Sequence, residues 1–387
     1  MTIRKPVLVQ KNVTYQCGKG HGMVRTFIDV IEVLLGLLSG LLLLALPALA
    51  ADYPAPTEGD FTTKDFKFKS GEMLAELRLH YATIGAARRD GRGQVTNALL
   101  ILHGTGGSGK QFLQPQFAGE LFGPGQPLDA TRYYIILPDS IGQGRSSKPS
   151  DGLHMRFPHY DYDDMVAAQH LLLTAGLGVQ HVRLILGTSM GCMHSLVWGE
   201  TYPEFMDALM PMACQAVAIV GRNRFWRDAV MQAIRLDPGW NGGEYKEEPI
   251  GALRTAQYLL AIAGSAPLLW QRLYPTREDA DKLVDAQELR LKELDANDLL
   301  YQIDASRNYN AEPGLEKIRA PLMWINSADD FINPPELVTP ERDVRRIAHG
   351  TFHLTEATDQ THGHGTHTWA VFWKQNLVAL LRESEGK

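Results

Sequence analysis

Gly187-Thr188-Ser189-Met190-Gly191 sets a serine between two glycines, directly after the apolar run Val182–Leu186 and at the mouth of a helical pattern, Met190–Tyr202. A strand that turns into a helix this sharply holds its middle residue in strain, and only glycine lets the two elements pack so closely around it. Ser189 Oγ would project into a cleft, and the Met190 N–H would face charge developing on a carbonyl oxygen. A serine hydroxyl is a weak nucleophile until a base takes its proton, and the base needs an orienting acid. The acid is expected in Asn326-Ser327-Ala328-Asp329-Asp330-Phe331-Ile332-Asn333-Pro334, after the apolar run Pro321–Ile325. Asp330 is the choice, four residues before Pro334, with Asp329 read as a turn or cap residue. The base is expected in Thr361-His362-Gly363-His364-Gly365-Thr366-His367, where glycines on both sides of His364 permit a sharp turn. Serine, carboxylate and imidazole then follow one another along the chain in the order that an elbow of this kind requires.

Oxyanion binding needs a second N–H, and His103-Gly104-Thr105-Gly106-Gly107 supplies it from Thr105 or Gly106, with His103 read as a brace for the loop. Two rival chemistries share these stretches. Gly104 to Lys110 matches most of a phosphate-binding loop, but Gln111 stands where a magnesium-holding hydroxyl belongs. His362, His364 and His367 could hold zinc, yet their spacing fits no helical ligand pair. No metal and no cofactor are expected.

These side chains need a scaffold. Short apolar runs at Ala98–Leu102, Tyr133–Leu137, Val182–Leu186, Ala208–Ala213 and Pro321–Ile325 read as strands buried on both faces. Leu74 to Tyr81 reads as an earlier strand, and residues 54–70 as polar and irregular. Helical patterns lie between, at Tyr162–Ala175 and Met190–Tyr202, with a last one over Thr366–Leu381. Such alternation predicts an open, mostly parallel α/β sheet with flanking helices, its site beyond the strand C-terminal ends. His103, Asp139, Ser189 and Asp330 all fall there. From 221 to 314 strand runs vanish and helical segments such as Glu278–Leu300 take over, which reads as a lid inserted into a core of residues 51–220 and 315–387. Most lid aromatics, Trp226 and Trp240 among them, are expected to form the lid's own core.

The chain has 387 residues, 44% of them hydrophobic and 21% charged, an ordinary globular balance that excludes wholesale disorder. A net charge of −6 provides no basic field for a nucleic-acid partner. Residues 1–50 read as an export signal: a basic stretch, the apolar run Val33–Leu46 and a small-residue cleavage site before Ala51. An uncleaved anchor is the alternative, and would be the only tie to a membrane. Met23 offers a second start. Of three cysteines, Cys192 and Cys214 would remain after cleavage, and two buried free thiols are expected rather than a bond.

With these residues in place, the chain resembles the α/β-hydrolase superfamily and, more narrowly, the homoserine O-acetyltransferase family. The likeness is densest at Pro138–Ser147, Asp164–Gln169, Gly187–Trp198 and the lid segment Asp237-Pro238-Gly239-Trp240-Asn241-Gly242-Gly243-Glu244-Tyr245. It implies a Ser189–Asp330–His364 triad, and lids of this family often pair across a homodimer. Four departures move the expectation from transfer to homoserine toward transfer to water. Met231 stands where the transferases carry a carboxylate-pairing arginine six residues before the Asp-Pro, with Arg227 and Arg235 nearby but off register. The oxyanion loop has a His-Gly-x-Gly-Gly form common in hydrolases. Gly365 replaces the aspartate that usually follows the base. An exported protein would also meet little acetyl-CoA. The expected function is a serine hydrolase acting on small-molecule carboxylic esters, with an O-acyltransferase of unknown acceptor as the alternative.

Overall fold

The computed structural model describes residues 52–385; the expected export segment lies outside them. Among the described residues no helix is long and apolar enough to cross a membrane. Eight strands form one sheet: β1 Thr57–Lys67, β2 Met73–Ile84, β3 Ala98–Leu102, β4 Tyr134–Pro138, β5 Leu184–Thr188, β6 Leu209–Met212, β7 Leu322–Ser327 and β8 Gly350–Thr355. Their order is β1-β2-β4-β3-β5-β6-β7-β8. The β1–β2 and β2–β4 pairs are antiparallel, and all others are parallel.

The alternation of a pleated strand explains the two-sided core. In β3, Ala98, Leu100 and Leu102 enter one apolar cluster, with Met165, Leu196 and Trp198. Leu99 and Ile101 enter the other, with Phe112, Phe117 and Leu377. Helices α1 (Tyr162–Leu171) and α2 (Met190–Thr201) thus cover one face. A later helix, Lys374–Glu383, supplies Leu377, Leu380 and Leu381 to the other. Each fully buried leucine or isoleucine adds about 1.5–3 kcal/mol to this packing.

One expectation about the sheet needs correction, and one strand was not anticipated. Residues 57–67 are not irregular but form edge strand β1, whose register with β2 follows a tight turn in which Gly71 N–H bonds Phe68 O. β8 forms the opposite edge. β1 is mostly exposed and β8 mostly half-buried, so neither carries the continuous apolar run of a strand buried on both faces.

Between β6 and β7 the described residues hold only helices and loops: α3 Gly221–Arg235, α4 Ile250–Ala263, α5 Pro267–Leu273, α6 Arg277–Glu288 and α7 Ala296–Asp304. The expected helix over Glu278–Leu300 is broken, because Asp295 accepts a bond from Asp298 N–H and caps a fresh start at α7. Asp298 also accepts from Ser150 N–H at 2.9 Å and from Ser150 Oγ at 2.7 Å. Tyr301 donates to Phe157 O at 2.6 Å, so α7 is fastened to the segment after β4. Trp226, Trp240 and Tyr245 join the main core, whereas Trp270 lines the cavity described below.

The cysteine expectation is overturned. Cys192 and Cys214 form a disulfide, their Cα atoms 5.9 Å apart. The cause is strand register. Thr188 pairs with Met212 across β5 and β6, so the first turn of α2 and the residues after β6 emerge side by side. The bond closes a separation of 22 residues, which chain-entropy arguments equate with about 3 kcal/mol. A Cys192→Ala/Cys214→Ala double variant is expected to lose about 2–4 kcal/mol in guanidinium unfolding. An unchanged midpoint would contradict this.

Candidate active site

Ser189 sits between β5 and α2 at φ 54, ψ −111, a left-handed conformation that a non-glycine residue holds only under strain. Its N–H bonds Met212 O at 2.8 Å, which ties the turn to β6. The glycines are steric necessities. A Cβ on Gly187 would strike the backbone of Gly191, and one on Gly191 would strike Leu102 O.

The three predicted side chains converge. His364 Nε2 lies 2.8 Å from Ser189 Oγ, and His364 Nδ1 lies 2.8 Å from Asp330 Oδ2. Asp330 can only accept, so Nδ1 carries the proton and Nε2 is left free to receive the one on Ser189. Asp330 is buried. Burial pushes its carboxyl pKa up, but the His364 ring and the bonds from Asn333 outweigh this and hold it below the usual range. Oδ1 accepts from Ile332 N–H at 2.7 Å and Asn333 N–H at 3.0 Å. Asp329 turns away: its Oδ2 accepts from Thr361 Oγ at 2.7 Å and Gly363 N–H at 3.1 Å, bracing the histidine loop. The other histidines diverge from the relay. His362 stacks on Trp369 at 3.9 Å between ring centres, and His367 stands edge-on to His364 at 5.3 Å.

The two oxyanion candidates in the first loop part company. Gly106 N–H donates to Gln143 Oε1 at 2.8 Å and is not available to a substrate. Among the described residues the Thr105 and Met190 N–H groups have no acceptor, and a Cβ on the adjoining Gly104 would stand 3.3 Å from Ser189 Cβ. Of the three expected donors, the Thr105 and Met190 N–H groups are therefore the free ones, while the Gly106 N–H is engaged by Gln143. His103 Nε2 accepts from Ser140 N–H at 3.0 Å, so its Nδ1 donates to Gly104 O at 2.8 Å. Burial lowers the pKa of this ring and favours its neutral form. The phosphate-loop resemblance does not produce a nest. Gly109 N–H is taken by Asp139 Oδ1 at 2.8 Å, and Lys110 pairs with Glu58 at 3.2 Å.

Two cavities, of about 690 Å³ and about 880 Å³, meet at Ser189, Arg227, Ile332 and His364. The first is walled by Val217–Arg222, Phe331 and Leu337, the second by Thr105, Gln257, Trp270, Asp298 and Gln302. Arg227 is one of these four shared residues. Off register in sequence, it nevertheless lines both cavities, while Met231, one helical turn on, packs into the core. Arg227 is 3% exposed, and its bonds go to neutral groups, Asn223 Oδ1 at 2.9 Å and Ser306 Oγ at 3.3 Å. Among the described residues no carboxylate pairs with it. Burial lowers its pKa, the mark of a cation placed at a desolvation cost.

The family model described as "alpha/beta hydrolase fold" matches residues 97–349. The chain belongs to the α/β-hydrolase family. Among proteins of related sequence, the homoserine O-acetyltransferase of Moorella thermoacetica is 30% identical over 339 residues, spanning 76% of this chain and 87% of that protein. Two solved structures share the fold. The homoserine O-acetyltransferase of Bacillus anthracis superposes with a TM-score of 0.73 at 18% identity, covering 84% of this chain and 97% of the other. An acetylester hydrolase from Corynebacterium glutamicum superposes with a TM-score of 0.74 at 21% identity, covering 84% and 96%. An enzyme of α/β-hydrolase type is thus established.

Proposed function

We propose that this α/β hydrolase cleaves small carboxylic esters through an acyl-enzyme on Ser189. The observation that carries the reading is the unbroken relay from Asp330 through His364 to Ser189, with 2.8 Å at both contacts. His364 Nε2 takes the hydroxyl proton as Oγ attacks the carbonyl carbon, and Asp330 stabilises the imidazolium. The Thr105 and Met190 N–H groups bind the oxyanion. The intermediate collapses, the ester C–O bond breaks, and His364 gives its proton to the departing alkoxide. Water, deprotonated by the same imidazole, then attacks the acyl carbon, and the acid and free Ser189 return.

A panel of p-nitrophenyl esters of graded chain length, with fluorophosphonate labelling followed by intact mass, tests this reading. Turnover of short esters and one adduct on Ser189 are expected. Neither turnover nor adduct would sink the proposal. Acyl transfer remains the second reading because the relatives include acetyltransferases. Added alcohol or thiol acceptors would divert product from free acid to new ester if it holds. Export of the mature chain is part of the proposal, supported by a buried disulfide that a reducing cytosol would not favour.

Arg227 bears on substrate choice. A buried guanidinium without a carboxylate partner, on a residue that lines the same two cavities as Ser189, favours an ester whose other end is anionic. Arg227→Met is expected to lower kcat/KM for a half-ester carrying a free carboxylate by about 10–100-fold, since hydrogen bonds to charged groups are worth about 1.5–3 kcal/mol. Hydrolysis of p-nitrophenyl acetate should change by less than about threefold. Equal losses on both substrates would rule out anion recognition.

A further inference from the structure

Gln143 lies between the two halves of the oxyanion pocket and is completely buried. Its Oε1 accepts from Gly106 N–H at 2.8 Å, and its Nε2 reaches Met190 Sδ at 3.0 Å. The amide cannot be reversed, because Nε2 would then face the Gly106 N–H donor to donor. One side chain therefore touches the loop that carries the Thr105 N–H and the residue that carries the second N–H.

The loop it holds is a tight turn. Gly107 N–H bonds Gly104 O at 3.1 Å, closing a four-residue turn, and Gly106 has φ +72 while Thr105 is not left-handed. That is a type II turn, with glycine at the position that demands positive φ. Types I and II differ by a flip of the central peptide, here the one joining Thr105 to Gly106. The N–H of that peptide is the one Gln143 holds. The neighbouring peptide of Gln143 is itself tied to the helical insertion, because Gln302 Nε2 on α7 donates to Gly142 O at 2.9 Å. Gln302 also lines the larger cavity, and its Oε1 lies 3.7 Å from where a Gly106 Cβ would stand.

We propose that Gln143 is the positioning residue of the oxyanion pocket, locking the Thr105–Gly106 peptide and fixing Thr105 N–H relative to Met190 N–H, and that Gln302 links the cavity-lining helix to this lock. The inference rests on the acyl-enzyme reading above. Gln143 touches no substrate; it acts by holding the two donors in register with the developing charge, where a preorganised donor is worth most.

The test pairs p-nitrophenyl acetate with its thionoester, whose sulfur is a poor hydrogen-bond acceptor and draws little from the N–H pair. Gln143→Met keeps the side-chain volume and removes the amide. It should lower kcat on the oxoester by about 10–100-fold with KM nearly unchanged, a loss approaching that of one oxyanion donor. The thionoester rate should stay within about threefold. Gln302→Leu, at a half-buried position, should show the same selective signature at about 3–10-fold, and it keeps the question open to test if Gln143→Met does not fold. Equal losses on the oxygen and sulfur esters, or no loss on either, would overturn the proposal. Failure of the parent reading looks different: the wild-type chain would hydrolyse neither ester, and fluorophosphonate would leave Ser189 unmodified.

Discussion

Ser189→Ala is expected to abolish the fluorophosphonate adduct and to lower kcat on the best ester by about 10⁶-fold, the scale of nucleophile removal in a serine relay. His364→Ala should cost nearly as much, and the double variant scarcely more, because the two act as one unit through their 2.8 Å contact. Residual turnover of about 10³–10⁴ over water should survive, supplied by the Thr105 and Met190 donors and by binding in the two-lobed cavity. The variant should fold normally. Alanine at φ 54 bears the same backbone strain as serine, and Ser189 N–H keeps its bond to Met212 O. A melting temperature within a few degrees of wild type therefore separates lost chemistry from lost structure. If Ser189→Ala retained ester hydrolysis within tenfold, the nucleophile would lie elsewhere and the relay would be ornamental.

How far the sequence carried the site depends on the range of the determinant. The elbow was legible because its cause is local: Gly187 and Gly191 are forced by contacts within one strand-to-helix turn and the adjoining Leu102. The inner strands were legible because parallel neighbours bury both faces, so runs such as Leu99–Leu102 carry no polar interruption. Edge strands β1 and β8 escaped because β1 is mostly exposed and β8 mostly half-buried, so neither shows an unbroken apolar run. Arg227 and Met231 are one helical turn apart on α3, and nothing in their spacing says which reaches the cavity and which the core. The disulfide was hidden for a similar reason. It follows from the register of β5 against β6, a property of pairing rather than of either cysteine's neighbourhood. Gln143 was out of reach because no local motif marks it as meeting Gly106 and Met190, 37 and 47 residues away along the chain. The choice between Thr105 and Gly106 depended on it, because whichever N–H the glutamine takes is lost to substrate.

Asp330→Asn carries the second large effect, about 10⁴ in kcat with the backbone geometry preserved. An asparagine amide can turn its Nδ2–H toward His364 Nδ1, and the ring proton then moves to Nε2, where it meets the Ser189 hydroxyl donor to donor. The base is thereby disabled without being displaced. Asp329→Asn should cost far less, within about tenfold, because its Oδ2 bonds Thr361 and Gly363 and not the imidazole. The pair of variants decides between adjacent carboxylates that composition alone could not separate. Acid titration adds an independent sign. The Asp330 pKa is held below its unfolded value, with the His364 ring and Asn333 outweighing burial. Its ionised form therefore contributes stability above the unfolded carboxylate pKa of about 4, and that stability is lost as pH falls through the lower folded value. Acid unfolding of Asp330→Asn, followed by fluorescence, should accordingly lack this component and fall less steeply below about pH 4 than wild type. A ten-thousandfold loss at Asp329 with Asp330→Asn nearly active would reassign the acid by one residue and break the relay as drawn.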